Sequence, residues 1–323
     1  MSYDLKEVDG IEVVALMDNV SDPFTQSHEN VRWNELEYQF RVKKRREFCG
    51  ADLCRACTGL SLLIRVHVGE KKYVVLFDTG PDDGLVVDNA KRLDFCLDEI
   101  DAIVISHGHF DHYGGLLSVL DAINKKDIPV YIHPDLCAPR AYDLKNGEKI
   151  IDSYLLTKED IVAHGGKIIE SKAPLLLFDD IGLISGEVPR INAYELGLPH
   201  ALRMMNGIWE EEPLVIDERI LIFNLKNKGL CVFTGCGHTG VVNGSHAAKN
   251  LLANKKIHIL MGGFHLAGPA FEDRISPTVA DLSKINPDYV ITGHCTGAKA
   301  QTALTSAFGD RHIPYGVATV FKF

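Results

Sequence analysis

Apolar residues in this chain gather in short runs that end at Asp, Gly or His. Residues 12–17 predict a first strand, stopping at Asp18-Asn19. A polar segment follows to about Glu47 and carries a basic run, residues 41–46, which reads as a solvated face or edge protection. Residues 61–66 and 73–77 predict two strands joined by a turn at Gly69-Glu70-Lys71-Lys72. Residues 89–93 read as part of a helix, and 102–105 and 129–134 as strands. The second half repeats this logic, with strands at 182–185, 220–223, 230–233, 258–260 and 289–291 and helices at 246–252 and 300–304. Hairpins mixed with strand–helix units, in two similar halves, predict an α/β (α+β) fold of two packed sheets flanked by helices.

Three of these strands run into a Gly-rich loop bearing histidine. They lead into His107-Gly108-His109, Gly235-Cys236-Gly237-His238 and Gly293-His294. If the strands share one end of the sandwich, all of these side chains reach one cleft, with glycine permitting tight turns beside them. The densest stretch, residues 106–115, puts three imidazoles and one carboxylate within six positions. Imidazole nitrogen and carboxylate oxygen are ligands of a zinc-type centre. His107 and His109, two apart in an extended segment, point the same way and suit one ion. Asp111 and His112 suit a neighbouring ion, and two ions about 3.5–4 Å apart would share a bridging hydroxide.

The His-x-His-x-Asp-His pattern, with Leu76-Phe77-Asp78-Thr79-Gly80 upstream of it, resembles the signature of the metallo-β-lactamase superfamily. Thr234-Gly235-Cys236-Gly237-His238-Thr239-Gly240, Gly262-Gly263-Phe264-His265-Leu266 and Thr292-Gly293-His294-Cys295-Thr296-Gly297 resemble a narrower branch, the archaeal dihydropterin-ribofuranosyl-aminobenzene-phosphate synthase-like proteins. The resemblance implies a four-layer αββα sandwich over residues 1–323 as a single domain; residues around 188–218, without clear periodicity, read as a lid insertion over the site or as a plain insertion. It implies one or two Zn2+ ions, iron or manganese being alternatives, held by His107, His109, Asp111, His112, Cys236 and His294. Asp78 becomes a buried support of the metal loop. Cys236 stands where many relatives place an aspartate, and reads as a thiolate ligand or as a small buried thiol. Asp111 is also the candidate proton shuttle. His238, His265 and Arg190 are candidates for contacting substrate, Arg190 through a phosphate.

One departure stands out. Hydrolytic members carry another metal histidine between the first loop and the Cys236 region. Here that interval offers His133, His164 and His200 in unsuitable contexts, and residues 183–190 take its place, so one ion is expected to be weakly held, water-rich or completed by Glu187. The expected activity is therefore a metal-dependent hydrolase acting on an ester, thioester, lactone or phosphoester. The alternatives are a synthase or transferase for a phosphorylated pterin-like or ribosyl substrate, and a ligand-binding protein with residual activity.

Composition narrows the partners. A net charge of -10, from 44 acidic and 34 basic residues, argues against a nucleic-acid-binding surface and leaves a small-molecule substrate. The first residues lack the pattern of a signal peptide, and no apolar run is long enough to span a membrane. Eight scattered cysteines fit a reduced, cytoplasmic setting. Cys49, Cys54 and Cys57 have the spacing of a partial zinc or redox site, without a matching second pair.

Overall fold

In the computed structural model, which describes residues 2–24, 28–82 and 84–323, the apolar runs become two eight-stranded mixed sheets. The first sheet has the order Gly166–Glu170, Ile128–Ile132, Ala102–Val104, Lys71–Phe77, Ser61–Val68, Gly10–Met17, Val320–Lys322, Val31–Trp33. The second runs Leu175–Leu177, Gly182–Ile184, Leu221–Leu225, Gly229–Thr234, Ile257–Gly262, Tyr289–Thr292, His312–Pro314. Glu7–Val8 pairs with Leu221–Leu225 as its eighth strand. The chain's two ends thus cross over: an early strand joins the second sheet, and the last strand joins the first.

Burial explains the layering. Val13, Ile64 and Phe77 of the first sheet share one apolar core with Phe223, Phe233 and Ile259 of the second. On the outer face of the first sheet, helices Leu85–Arg92 and Leu116–Ile123 bury Val86, Leu116 and Leu120. Helices Val241–Leu251, Ile275–Ile285 and Ala298–Phe308 bury Val242, Leu282 and Leu304 against the second. Central strands such as Leu221–Leu225 and Ile257–Gly262 bury both faces, which is why their runs are continuously apolar instead of alternating. This is the expected αββα sandwich.

Arg219 ties the sheets together next to the site. Its side chain is fully buried, and its guanidinium donates to the carbonyls of Ile105 at 2.9 Å and Tyr131 at 3.1 Å. Its own N–H donates to the carbonyl of Ser106 at 3.0 Å. The strand that follows it belongs to the other sheet. Arg219 therefore fixes the metal loop relative to both layers.

Residues 188–218 include half of a separate element. Ala201–Met205 and Ile208–Glu211 form a hairpin that joins a second hairpin, Arg140–Asp143 and Lys149–Ile151, in a four-stranded sheet. Asn206 and Gly207 turn the first hairpin, both at positive φ. That Asn-Gly pair is a strong two-residue hairpin signal which the irregular apolar pattern around it obscured.

His312 offers a test of how the edge strand His312–Pro314 is packed. It is buried, with its ring nitrogens on Thr292 Oγ1 and Thr305 Oγ1, each at 2.8 Å. Burial lowers its pKa to about 4. Since protonation is easier in the unfolded chain, this stability is present above about pH 6.5 and lost as pH falls toward 4. Urea unfolding should show wild type losing about 3 kcal/mol more than His312→Gln between about pH 7.5 and 4. Parallel pH curves for the two proteins would refute it.

Candidate metal centre

Four strand ends, not three, build the site. Ala102–Val104, Gly229–Thr234 and Tyr289–Thr292 deliver the loops read from the sequence, and Ile257–Gly262 adds Gly263-Phe264-His265 between the last two. The three strands of the second sheet are parallel neighbours, so their C-terminal loops emerge side by side.

His107 and His109 do lie on one side of the loop, with His107 Nε2 2.9 Å from His109 Nδ1. The ring of His238 sits 4.9 Å from that of His107 and 4.7 Å from that of His109, centre to centre. His238, read from the sequence as a candidate for contacting substrate, thus stands beside the two histidines of the first loop. Ligand atoms of His107, Cys236 and His238 all lie within 4.8 Å of one another, as do those of His112, Cys236 and His294. Asp111 reaches this second group, its Oδ2 3.5 Å from His294 Nε2 and 3.8 Å from His112 Nε2. Cys236, His265 and Cys295 make a further such group, in which the two thiols are 3.0 Å apart.

The supporting contacts explain why the cluster holds its shape. Asp78, fully buried, accepts from the Ser106 N–H at 2.7 Å and the Ser106 hydroxyl at 2.8 Å. Its Oδ2 also takes His112 Nδ1 at 2.7 Å, which leaves His112 Nε2 facing the cluster. These are the contacts through which Asp78 would support that loop. Glu218 was not anticipated: its buried carboxylate accepts the N–H groups of Cys236, Gly237 and Thr239 at 2.9, 2.7 and 2.5 Å. His294 is oriented by Asn19 Oδ1 on Nδ1 at 2.9 Å and by its own N–H on Asp18 at 2.7 Å. Asp18-Asn19 ends a buried strand just as the histidine loops do, and that shared position was the available signal. Gly235 permits the close approach of two loops, since a Cβ there would lie 2.2 Å from Ser106 Oγ.

Electrostatics divide the cluster. Three histidines have lowered pKa values. Burial opposes charge on His294, but Cys295 and Asp111 outweigh it and raise its pKa to about 9. Burial, reinforced by the neighbouring imidazoles, holds His107 and His238 well below the usual histidine range. Burial with the nearby Arg140 does the same to His109. These rings are neutral and can offer lone pairs. Burial opposes charge on His112 too, but Asp111 and Asp78 outweigh it and raise its pKa. His112 Nε2 and both ring nitrogens of His238 are buried with no hydrogen-bond partner. Orphaned nitrogens in a buried His/Cys/Asp cluster are what a metal ion would satisfy.

Other sequence candidates fall elsewhere. Arg190 donates to the carbonyls of Val188 and Leu214 and does not line the cavity beside the cluster. Glu187 binds His133 at 3.1 Å and belongs to no group of potential ligands among the described residues. Cys49, Cys54 and Cys57 form no such group there either; Cys54 is buried, and its thiol points to the carbonyl of Asn89.

The family model described as "Metallo-beta-lactamase superfamily" matches residues 54–204. The chain is also 31% identical over 278 residues to the 7,8-dihydropterin-6-methyl-4-(beta-D-ribofuranosyl)-aminobenzene-5'-phosphate synthase of Methanocaldococcus jannaschii, covering 82% of this chain and 90% of that one. The chain belongs to the metallo-β-lactamase superfamily. A second, uncharacterised M. jannaschii protein is 34% identical over 251 residues, 76% of this metallo-β-lactamase-superfamily chain and 87% of the other. Among solved structures, Tm1679, described as a metal-dependent hydrolase of the β-lactamase superfamily, aligns at a TM-score of 0.69 with 20% identity, covering 96% of this chain and 98% of its own. A diphosphatase of the PhnP family aligns at 0.51 with 14% identity, covering 98% of each chain. These two likenesses establish the superfamily fold. Among the described residues no helix is long and apolar enough to cross a membrane.

Proposed function

We propose that this protein is a zinc-dependent hydrolase that cleaves an ester, thioester, lactone or phosphoester. One observation carries the reading: buried imidazoles, two of them with unpartnered ring nitrogens, converge with Cys236 and Asp111 at a cavity of about 630 Å³. His107, His109 and His238 would hold one ion, His112 and His294 a second, with Cys236 within reach of both. Bound there, metal supplies Lewis acidity and an acidified water. Asp111 lines the cavity and is placed to take a proton from the attacking water and pass it to the leaving group. His265, on Cys236 at 3.1 Å, orients that thiol. The eight cysteines are free thiols, in keeping with a reducing cytoplasm.

Identity with the M. jannaschii synthase supports a second reading, in which the same residues orient a phosphorylated substrate for a synthase reaction. Elemental analysis of protein purified without added metal, followed by turnover of p-nitrophenyl esters and bis-p-nitrophenyl phosphate, separates the two. The hydrolase reading expects bound zinc, and a fall of at least about 100-fold on chelation that zinc restores. Metal-bound protein inert across the panel would favour the synthase. Protein that binds no metal, even when zinc is added, would overturn both.

A further inference from the structure

Phe110, Tyr142, Ile150 and Ile151 are large apolar residues exposed to solvent by 45%, 37%, 60% and 55%, and all four line the cavity beside the metal cluster. Soluble proteins keep such side chains apart unless something covers them. Three of the four come from the small sheet, in strands Arg140–Asp143 and Lys149–Ile151, which belongs to neither main layer. Leu198 and Leu202 continue the same wall. The cavity volume is that of a site for a small molecule, not a groove for a protein.

The charges in the wall are as informative. Among the described residues that line the cavity, Arg140 is the only Lys or Arg. It is buried and already committed, 2.7 Å from Asp217 and 3.5 Å from Glu212. Two carboxylates, Asp111 and Asp152, line the same space. A phosphate held away from the metals would meet carboxylate and no available cation, at a cost that buried anions recover only through pairing. Arg190, the residue that could have supplied a fork, is turned onto backbone carbonyls outside the cavity.

We infer that the part of the substrate remote from the metals is an uncharged apolar group, an acyl or aryl arm, seated on Phe110, Tyr142, Ile150, Ile151 and Leu202. This rests on the hydrolase reading for the position of the reacting end, and it makes the small sheet the determinant of chain length. Anionic substrates with a distal phosphate are excluded by the same wall.

Calorimetric titration with alkanohydroxamates, from acetohydroxamate to octanohydroxamate, tests this on zinc-loaded and on zinc-stripped protein. Affinity should rise about threefold for each added methylene over the middle of the series, in both forms. The chelating head should add a constant factor in the loaded form alone. Ile150→Asp and Ile151→Asp, both at exposed positions, should each weaken octanohydroxamate about tenfold or more without lowering the thermal midpoint. Affinity independent of chain length would overturn the inference, as would tighter binding of an analogue of equal length ending in phosphonate. Loss of the head-group factor with the length dependence intact would instead count against the metal reading and leave the apolar arm supported.

Discussion

His238→Ala is expected to fold normally yet lose bound metal and more than about 100-fold in turnover, a larger effect than the loss of a supporting partner around a metal site. The expectation follows from what the ring does in this structure. It is buried, its two nitrogens have no hydrogen-bond partner, and it packs against His107, His109 and His265. Deleting it from metal-free protein removes desolvated polar atoms that gain nothing, and this offsets part of the lost packing. Metal-stripped mutant and wild type should therefore melt within a few degrees of each other. Added zinc should raise the wild-type midpoint well above that of the variant, because only a ligand bound by the folded state shifts the balance. A variant that binds zinc like wild type would remove His238 from the centre and reopen the missing ligand.

Asp78→Asn should weaken metal binding by roughly 10- to 100-fold, with turnover falling in step. Asp78 sits at φ +61°, which asparagine tolerates, so backbone strain does not contribute. What changes is hydrogen-bond polarity. The carboxylate accepts two bonds from Ser106 and one from His112 Nδ1. An amide has only one accepting oxygen, and if that oxygen keeps the Ser106 N–H, the NH2 takes the place of Oδ2 and meets Ser106 Oγ and His112 Nδ1 together. His112 is then driven to carry its proton on Nε2, the nitrogen left open toward the cluster. The metal dissociation constant, measured by competition with a chromogenic chelator, checks this directly. An unchanged constant would show that Asp78 only packs.

How much of this was legible beforehand depends on whether a feature is local. Strand runs and the loops His107–His112, Cys236 and His294 were readable because each strand, its glycine and its histidine are neighbours in sequence. Asp78 was readable through the family resemblance. The role of His238 was not, because nothing in Gly237-His238-Thr239 says that the ring lands 4.7 Å from His109. Glu218 was hidden for a different reason. Asp217-Glu218-Arg219 reads as a solvated charged turn, but all three are buried, each consumed by a backbone or charge contact across the sheets. The small sheet was half seen: its Asn206-Gly207 turn is a local signal, while the pairing of Ala201–Met205 with Arg140–Asp143 spans a long interval of chain.

The contact between Asn19 and His294 carries a consequence for synthesis of the protein. These residues are 275 positions apart, and the last strand, Val320–Lys322, closes the first sheet against Gly10–Met17. A chain truncated before His294 lacks both that side chain and the strand paired with Gly10–Met17. Domains with such distant pairings complete their structure late, with apolar edges open until then. On the metal reading proposed above, such C-terminal truncation products should emerge with an open sheet edge and bind less metal.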